Sequence, residues 1–200
     1  PLPTTTEGCR LTMENQALIL QNSHLYVKIL PGFGGRIAEL RSSAEAPNHL
    51  LIRPSELAKG IGTVYRDYGG IEYTPGRYQG PGWEIQYDHE VIANTPEKIS
   101  VLLKRSAPVS VSMGTTVSYE ILYSLEKDSS MLDCAVRMYN EEAATTTLRL
   151  TTHPLFRIGG DINFGDNFYW LGDKGLEIGL FKPGRNEYFP NCGNWFAYID

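Results

Sequence analysis

The stretch Leu30-Pro31-Gly32-Phe33-Gly34-Gly35-Arg36-Ile37 constrains the fold of this chain more than any other. Three glycines close a run in which Leu25, Val27 and Ile29 alternate with polar residues, and a second alternating run, Ile37 to Arg41, begins at once. Strict alternation marks strands with one face buried, so the glycines read as a tight corner between two strands, where positive φ is needed. The alternative, a nucleotide-binding loop, fails. Ile37 stands where the dinucleotide fingerprint has its third glycine, the following segment is strand-like, and no P-loop lysine follows. A second glycine pair opens Gly69-Gly70-Ile71-Glu72-Tyr73.

The rest of the chain extends the same pattern. Ala17 to Leu20 and His24 to Leu30 read as strands about a turn at Gln21-Asn22-Ser23, and Leu50 to Ile52 as a short strand. Trp83 to Ile92, Lys98 to Ser106, Val109 to Leu125, Met131 to Asn140 and Thr145 to Thr152 alternate in turn, as does the shorter Leu176 to Phe181. Val101 with Leu103, and Leu132, Cys134, Val136 and Met138, form one-face sets. Pro54 to Gly60, with Ser55 as N-cap, is the helix candidate and spans one to two turns. Residues 60–82 hold seven glycines and two prolines and read as loop. Strands joined by short polar turns predict an antiparallel meander, hence an all-β sandwich or barrel. Residues 1–13 read as a flexible N-terminal arm and 14–200 as a single β-sandwich domain.

The 200 residues are 42% hydrophobic and 20% charged, an ordinary globular composition. The net charge of −5 and the lack of a basic run exclude the usual nucleic-acid binder. No apolar run reaches the roughly 18 residues of a membrane span, so neither nucleic acid nor membrane is an expected partner. No signal-peptide pattern opens the chain. It also lacks an initiator Met, which leaves room for an upstream segment already removed. Cys9, Cys134 and Cys192 are odd in number and widely spaced, fitting neither a disulfide framework nor a zinc site. They point to a reducing, cytoplasmic compartment, with a secreted or periplasmic location as the alternative. The four histidines are not spaced as metal ligands, and no cofactor is indicated.

Chemistry-bearing residues gather after the second glycine pair. Glu72, Tyr73, Arg77, Tyr78, Trp83 and Glu84 lie within a dozen residues. Sugars offer apolar CH faces and a rim of hydroxyls, so their sites combine flat aromatics with polar groups. The same cluster also fits a surface loop with its aromatics folded inward. Arg36 either pairs with a hydroxyl or carboxylate in a cleft or braces a neighbouring loop. His153, at the end of Leu148-Arg149-Leu150-Thr151-Thr152, is a candidate general acid or a structural histidine. Glu72, Glu84, Asp161 and Asp166 could supply paired carboxylates, although no spacing marks them.

In order, LPGFGGRI, GGIEY, GPGW, the meander and THPLFRIGGD resemble the galactose mutarotase-like (aldose 1-epimerase) superfamily over about residues 14–200. The strand end Met131 to Asn140 is similar to that family's as well. The resemblance implies an antiparallel β-supersandwich that binds a mono- or oligosaccharide. In sugar epimerases of this type a histidine protonates the ring oxygen and a glutamate takes the proton of the anomeric hydroxyl. His153, with Phe156 and Asp161, resembles the segment that holds the catalytic histidine. Glu72 is the in-chain candidate for the base, and Arg36, Tyr73, Arg77, Tyr78, Trp83 and Asp161 are the expected sugar-binding residues. The chain departs from the family in three ways: no histidine accompanies Arg77 to Trp83, the chain is expected to stop before the late strand that carries the family's glutamate, and full epimerases are longer. The Gly-Gly-Ile-Glu-Tyr form is more similar to uncharacterised branches, so an uncharacterised or truncated branch of the superfamily is expected. A non-catalytic carbohydrate-binding module, or a fragment of a larger carbohydrate-active enzyme, is therefore the alternative. A third reading has the cleft serving a homodimer.

Overall fold

The computed structural model describes residues 8–50, 69–75, 85–105, 109–110, 116–143, 145–155, 167–172, 175–180 and 196–199. The chain is all-β and antiparallel, and it divides into two units, Pro1–Phe156 and Arg157–Asp200. Among the described residues no helix is long and apolar enough to cross a membrane.

In the first unit, one sheet holds β1 (Arg10–Glu14), β2 (Ala17–Gln21), β3 (Tyr26–Leu30), β4 (Arg36–Arg41), β5 (Gly70–Pro75) and β11 (Leu150–Leu155), in that spatial order. The other runs β10 (Asp133–Asn140), β9 (Thr116–Glu126), β7 (Lys98–Lys104), β6 (Asp88–Asn94), with β8 (Val109–Ser110) also paired to β9. The sequence alternation places the two inner faces together. Leu18, Leu20, Val27, Ile29 and Ile37 of the first sheet meet Ile99, Val101, Leu103, Val117, Tyr119, Ile121, Tyr123 and Leu125 of the second in one core cluster. Leu132, just before β10, and Cys134, Val136 and Met138 on one of its faces line the margin of the core, while Asp133, Ala135, Arg137 and Tyr139 point outward. Two sheets closed over a shared apolar layer make a β-sandwich.

Three local features follow from the residues. Among the described residues β11 is the last strand of this sheet, and an edge position is where a strand proline such as Pro154 is tolerated. Asn22 ties the two sheets together. Its Nδ2 donates to the carbonyls of Glu126 at 2.6 Å and Ser129 at 2.8 Å, and its Oδ1 accepts from the N–H groups of His24 and Leu25. The segment read as a loose arm includes β1, which pairs along its length with β2 through a two-residue turn. Asn15 and Gln16 both have positive φ in that turn, as a tight hairpin requires. Leu11 is the anchor that holds β1 down, packing against the core.

The second unit holds β12 (Asn167–Gly172), β13 (Gly175–Leu180) and β14 (Phe196–Ile199), with β12 central. Pro54 to Gly60, the helix candidate, lies outside the described residues.

Candidate functional site

The first glycine bend is a 3-10 turn, Pro31–Phe33, followed by Gly34 at φ 71° and Gly35 at φ 67°. Both glycines stand where an L side chain is strained. Gly35 carries a second constraint, because an added Cβ would sit 2.7 Å from Leu103 Cδ1 and 3.3 Å from Ile121 Cδ1. The second sheet presses directly on this peptide. The Gly34 N–H donates to the Ile85 carbonyl, and the Tyr87 N–H to that of Pro31. At the second bend, Gly69 and Gly70 have φ 76° and 78°.

Arg36 joins the two bends. Its Nε donates to the Phe33 carbonyl at 3.3 Å, its Nη1 to the Gly69 carbonyl at 2.7 Å, and its Nη2 to Glu72 Oε2 at 2.8 Å. The planar guanidinium fork suits three partners in one plane. The side chains of Arg36 and Glu72 are 2% and 6% exposed, so this is a buried ion pair. The desolvation of such a pair is offset only when further hydrogen bonds complete it, and the two backbone carbonyls serve that purpose here.

Strand parity sets the surroundings. Ile37, Ile71 and Tyr73 face the intersheet core, so Arg36, Glu72 and Thr74 occupy the opposite face of the first sheet. They are nonetheless buried there, as are Ala17 and Ile19. The Thr74 hydroxyl has no hydrogen-bond partner among the described residues. β11 pairs with β5 so that Thr151 stands opposite Thr74 and His153 opposite Glu72. Directly opposed positions in an antiparallel pair share one face, with Cα atoms about 4.5–5.5 Å apart. The bends thus bring Arg36 and Glu72 together, and the β5–β11 register sets the backbone position of His153 opposite Glu72.

Tyr73 does not join them. The pleat turns it the other way, with its ring 6.4 Å from that of Tyr123 in the core. Burial raises its hydroxyl pKa far above the ordinary range, and a hydrogen bond with Cys134 adds to the shift. Burial also pushes the Cys134 thiol up, with the Tyr73 bond opposing. The Cys9 thiol is likewise raised, mainly by burial. Neither thiol is poised as a nucleophile, which needs the thiolate. Arg77, Tyr78, Trp83 and Asp161 lie outside the described residues. Among the described residues, no group of three or more His, Cys, Asp or Glu could hold a metal ion.

Sequence reasoning passed over Thr74, although it lies two residues beyond Glu72 on the same pleat. It also passed over Tyr119 and Tyr123, whose hydroxyls reach this region from β9. The alternation of Val109 to Leu125 reads as a strand and singles out neither tyrosine.

No family model matches the chain, and no curated protein matches it. Among solved structures it is similar to a TPR-domain containing protein from Parabacteroides distasonis ATCC 8503, with 15% identity and a TM-score of 0.58. The match covers 84% of this chain and 29% of that one, and at this identity the likeness is one of fold alone.

Proposed function

We propose that the face of the first sheet carrying Arg36, Glu72 and His153 is a saccharide site, and that the chain is a carbohydrate-binding protein of the galactose mutarotase-like kind. The supporting observation is the β5–β11 register, with His153 opposite Glu72 and Arg36 bonded to the same carboxylate. A pyranose carries its ring oxygen and its anomeric hydroxyl on one carbon, so an acid and a base at neighbouring register positions can serve both. In this reading His153 gives a proton to the ring oxygen while Glu72 accepts the proton of the anomeric hydroxyl. The bond from C1 to the ring oxygen breaks, and C1 becomes a carbonyl. After rotation about C1–C2, the freed hydroxyl adds to the other carbonyl face and both protons return.

One observation favours a second reading, a non-catalytic carbohydrate-binding module. Glu72 Oε2 is already engaged by the Arg36 guanidinium at 2.8 Å, inside a cluster that also braces two backbone carbonyls. Proton NMR of freshly dissolved α-D-glucose and α-D-galactose separates the two readings. The enzyme reading predicts mutarotation faster than in buffer, lost in His153→Ala. Saturation transfer to sugar protons without acceleration supports the module. Neither acceleration nor transfer for any sugar of a broad glycan panel contradicts both.

A further inference from the structure

The Arg36–Glu72 pair straddles β4 and β5. Among the described residues these strands are in register at one position, Ile37 opposite Ile71, and Arg36 bonds across them to Gly69 and Glu72. Two phenols from the facing sheet bond the backbone beside each member of the pair. The Tyr123 hydroxyl donates to the Gly35 carbonyl at 2.7 Å, on the peptide that leads into Arg36. The Tyr119 hydroxyl donates to the Tyr73 carbonyl at 2.7 Å, one residue after Glu72. Both phenols come from one face of β9, four residues apart, as period-two geometry requires. β9 is itself held on both sides, by β7 from Lys98 to Lys104 and by β10 from Asp133 to Asn140. Tyr119 and Tyr123 are 2% and 0% exposed, so neither hydroxyl has water as an alternative partner.

We infer that Tyr119 and Tyr123 are positioning residues that set the Arg36–Glu72 pair from across the core. Their role in saccharide chemistry rests on the function proposed above, whereas their hold on the pair does not. A buried tyrosine hydroxyl usually finds some acceptor wherever it lies, so the choice of acceptor carries the inference. Of the backbone carbonyls in the first sheet, these two hydroxyls take one next to each member of the pair. Tyr87 provides the contrast within the same core. Its ring packs edge-on against Tyr119 at 5.9 Å, yet its buried hydroxyl has no partner among the described residues.

The test compares Tyr119→Phe, Tyr123→Phe and Tyr87→Phe, each of which removes one oxygen and keeps the ring. The first readout is the ¹⁵N–¹H NMR signal of the Arg36 guanidinium, assigned by its loss in Arg36→Lys. The second is mutarotation of α-D-galactose. Tyr119→Phe and Tyr123→Phe are expected to shift the Arg36 signal and speed its exchange with water. They should also lower kcat/KM by roughly three- to tenfold, the worth of one neutral hydrogen bond. Tyr87→Phe is expected to leave both readouts unchanged. An Arg36 signal unmoved in both Tyr119→Phe and Tyr123→Phe, or moved as much in Tyr87→Phe, overturns the inference. A signal that responds as expected in a protein without mutarotase activity upholds the positioning and removes the epimerase reading alone.

Discussion

At the scale of single residues, the glycines of the first bend are not equivalent. Gly32 has open space around its Cα and an ordinary φ, while Gly35 has positive φ and a wall of core side chains. Gly35→Ala should cost about 1–3 kcal/mol from the backbone alone, with the collision against Leu103 added. Gly32→Ala should change stability by less than about 0.5 kcal/mol. Urea denaturation of the two variants checks the contrast. The ion pair makes a second prediction. Removing one partner, as in Arg36→Met, takes the paired cation from a buried carboxylate and should cost about 3–5 kcal/mol. Arg36→Met combined with Glu72→Leu should cost less than Arg36→Met alone, although the Phe33 and Gly69 carbonyls still lose their donor. A double-mutant cycle by chemical denaturation measures that difference. The sequence shows Arg36 as either a cleft residue or a brace, and the structure gives it partners of both kinds, the Phe33 and Gly69 carbonyls of the bends and the Glu72 carboxylate. Tyr73 was misplaced for a simpler reason. A cluster counted along the chain ignores parity, and on a strand, residues 72 and 73 point to opposite faces.

Elements were more legible than sites. Strands β3, β4, β7, β9 and β10 follow directly from alternation, because burial on one face of a sheet imposes that period. β1 was missed because Arg10 to Glu14 carries little apolar surface, and its stability comes from pairing with β2 and from Leu11 on the core. The alignment of β5 with β11 could not be read either, since nothing local in His153 or Glu72 encodes a pairing about eighty residues away. At this scale the four core tyrosines make the prediction. Burial is the first cause of the raised pKa of Tyr73, Tyr87, Tyr119 and Tyr123. A pKa raised in the folded state means stability that is complete below the unfolded value of about 10. It is lost as pH rises from there toward the folded values, because only the unfolded chain ionises. Thermal unfolding should therefore be flat in its tyrosine contribution from pH 7 to 9 and fall steeply above about pH 10. Tyrosinate absorbance from these four rings should appear together with unfolding. Its appearance in a protein that keeps its far-UV dichroism would contradict the burial.

For the whole molecule, the two sheets of the first unit divide the labour. The second sheet supplies rigid β9 and the phenols. The first bears buried polar residues, Arg36, Glu72 and Thr74, on the face turned from the core. That arrangement is the reason to look for a small polar ligand rather than a nucleic acid, for which a chain of net charge −5 is ill suited. The sequence holds four histidines, His24, His49, His89 and His153, so the imidazole signals in a proton NMR spectrum are few enough to assign, His153 by its loss in His153→Gln. Titrating the protein with galactose and glucose while following those signals shows whether His153 stands at a sugar site. The His153 signal is expected to move in a saturable way while the other three stay still. A spectrum in which no histidine responds to any monosaccharide, or in which only the others respond, would contradict a sugar site at the Arg36–Glu72 pair.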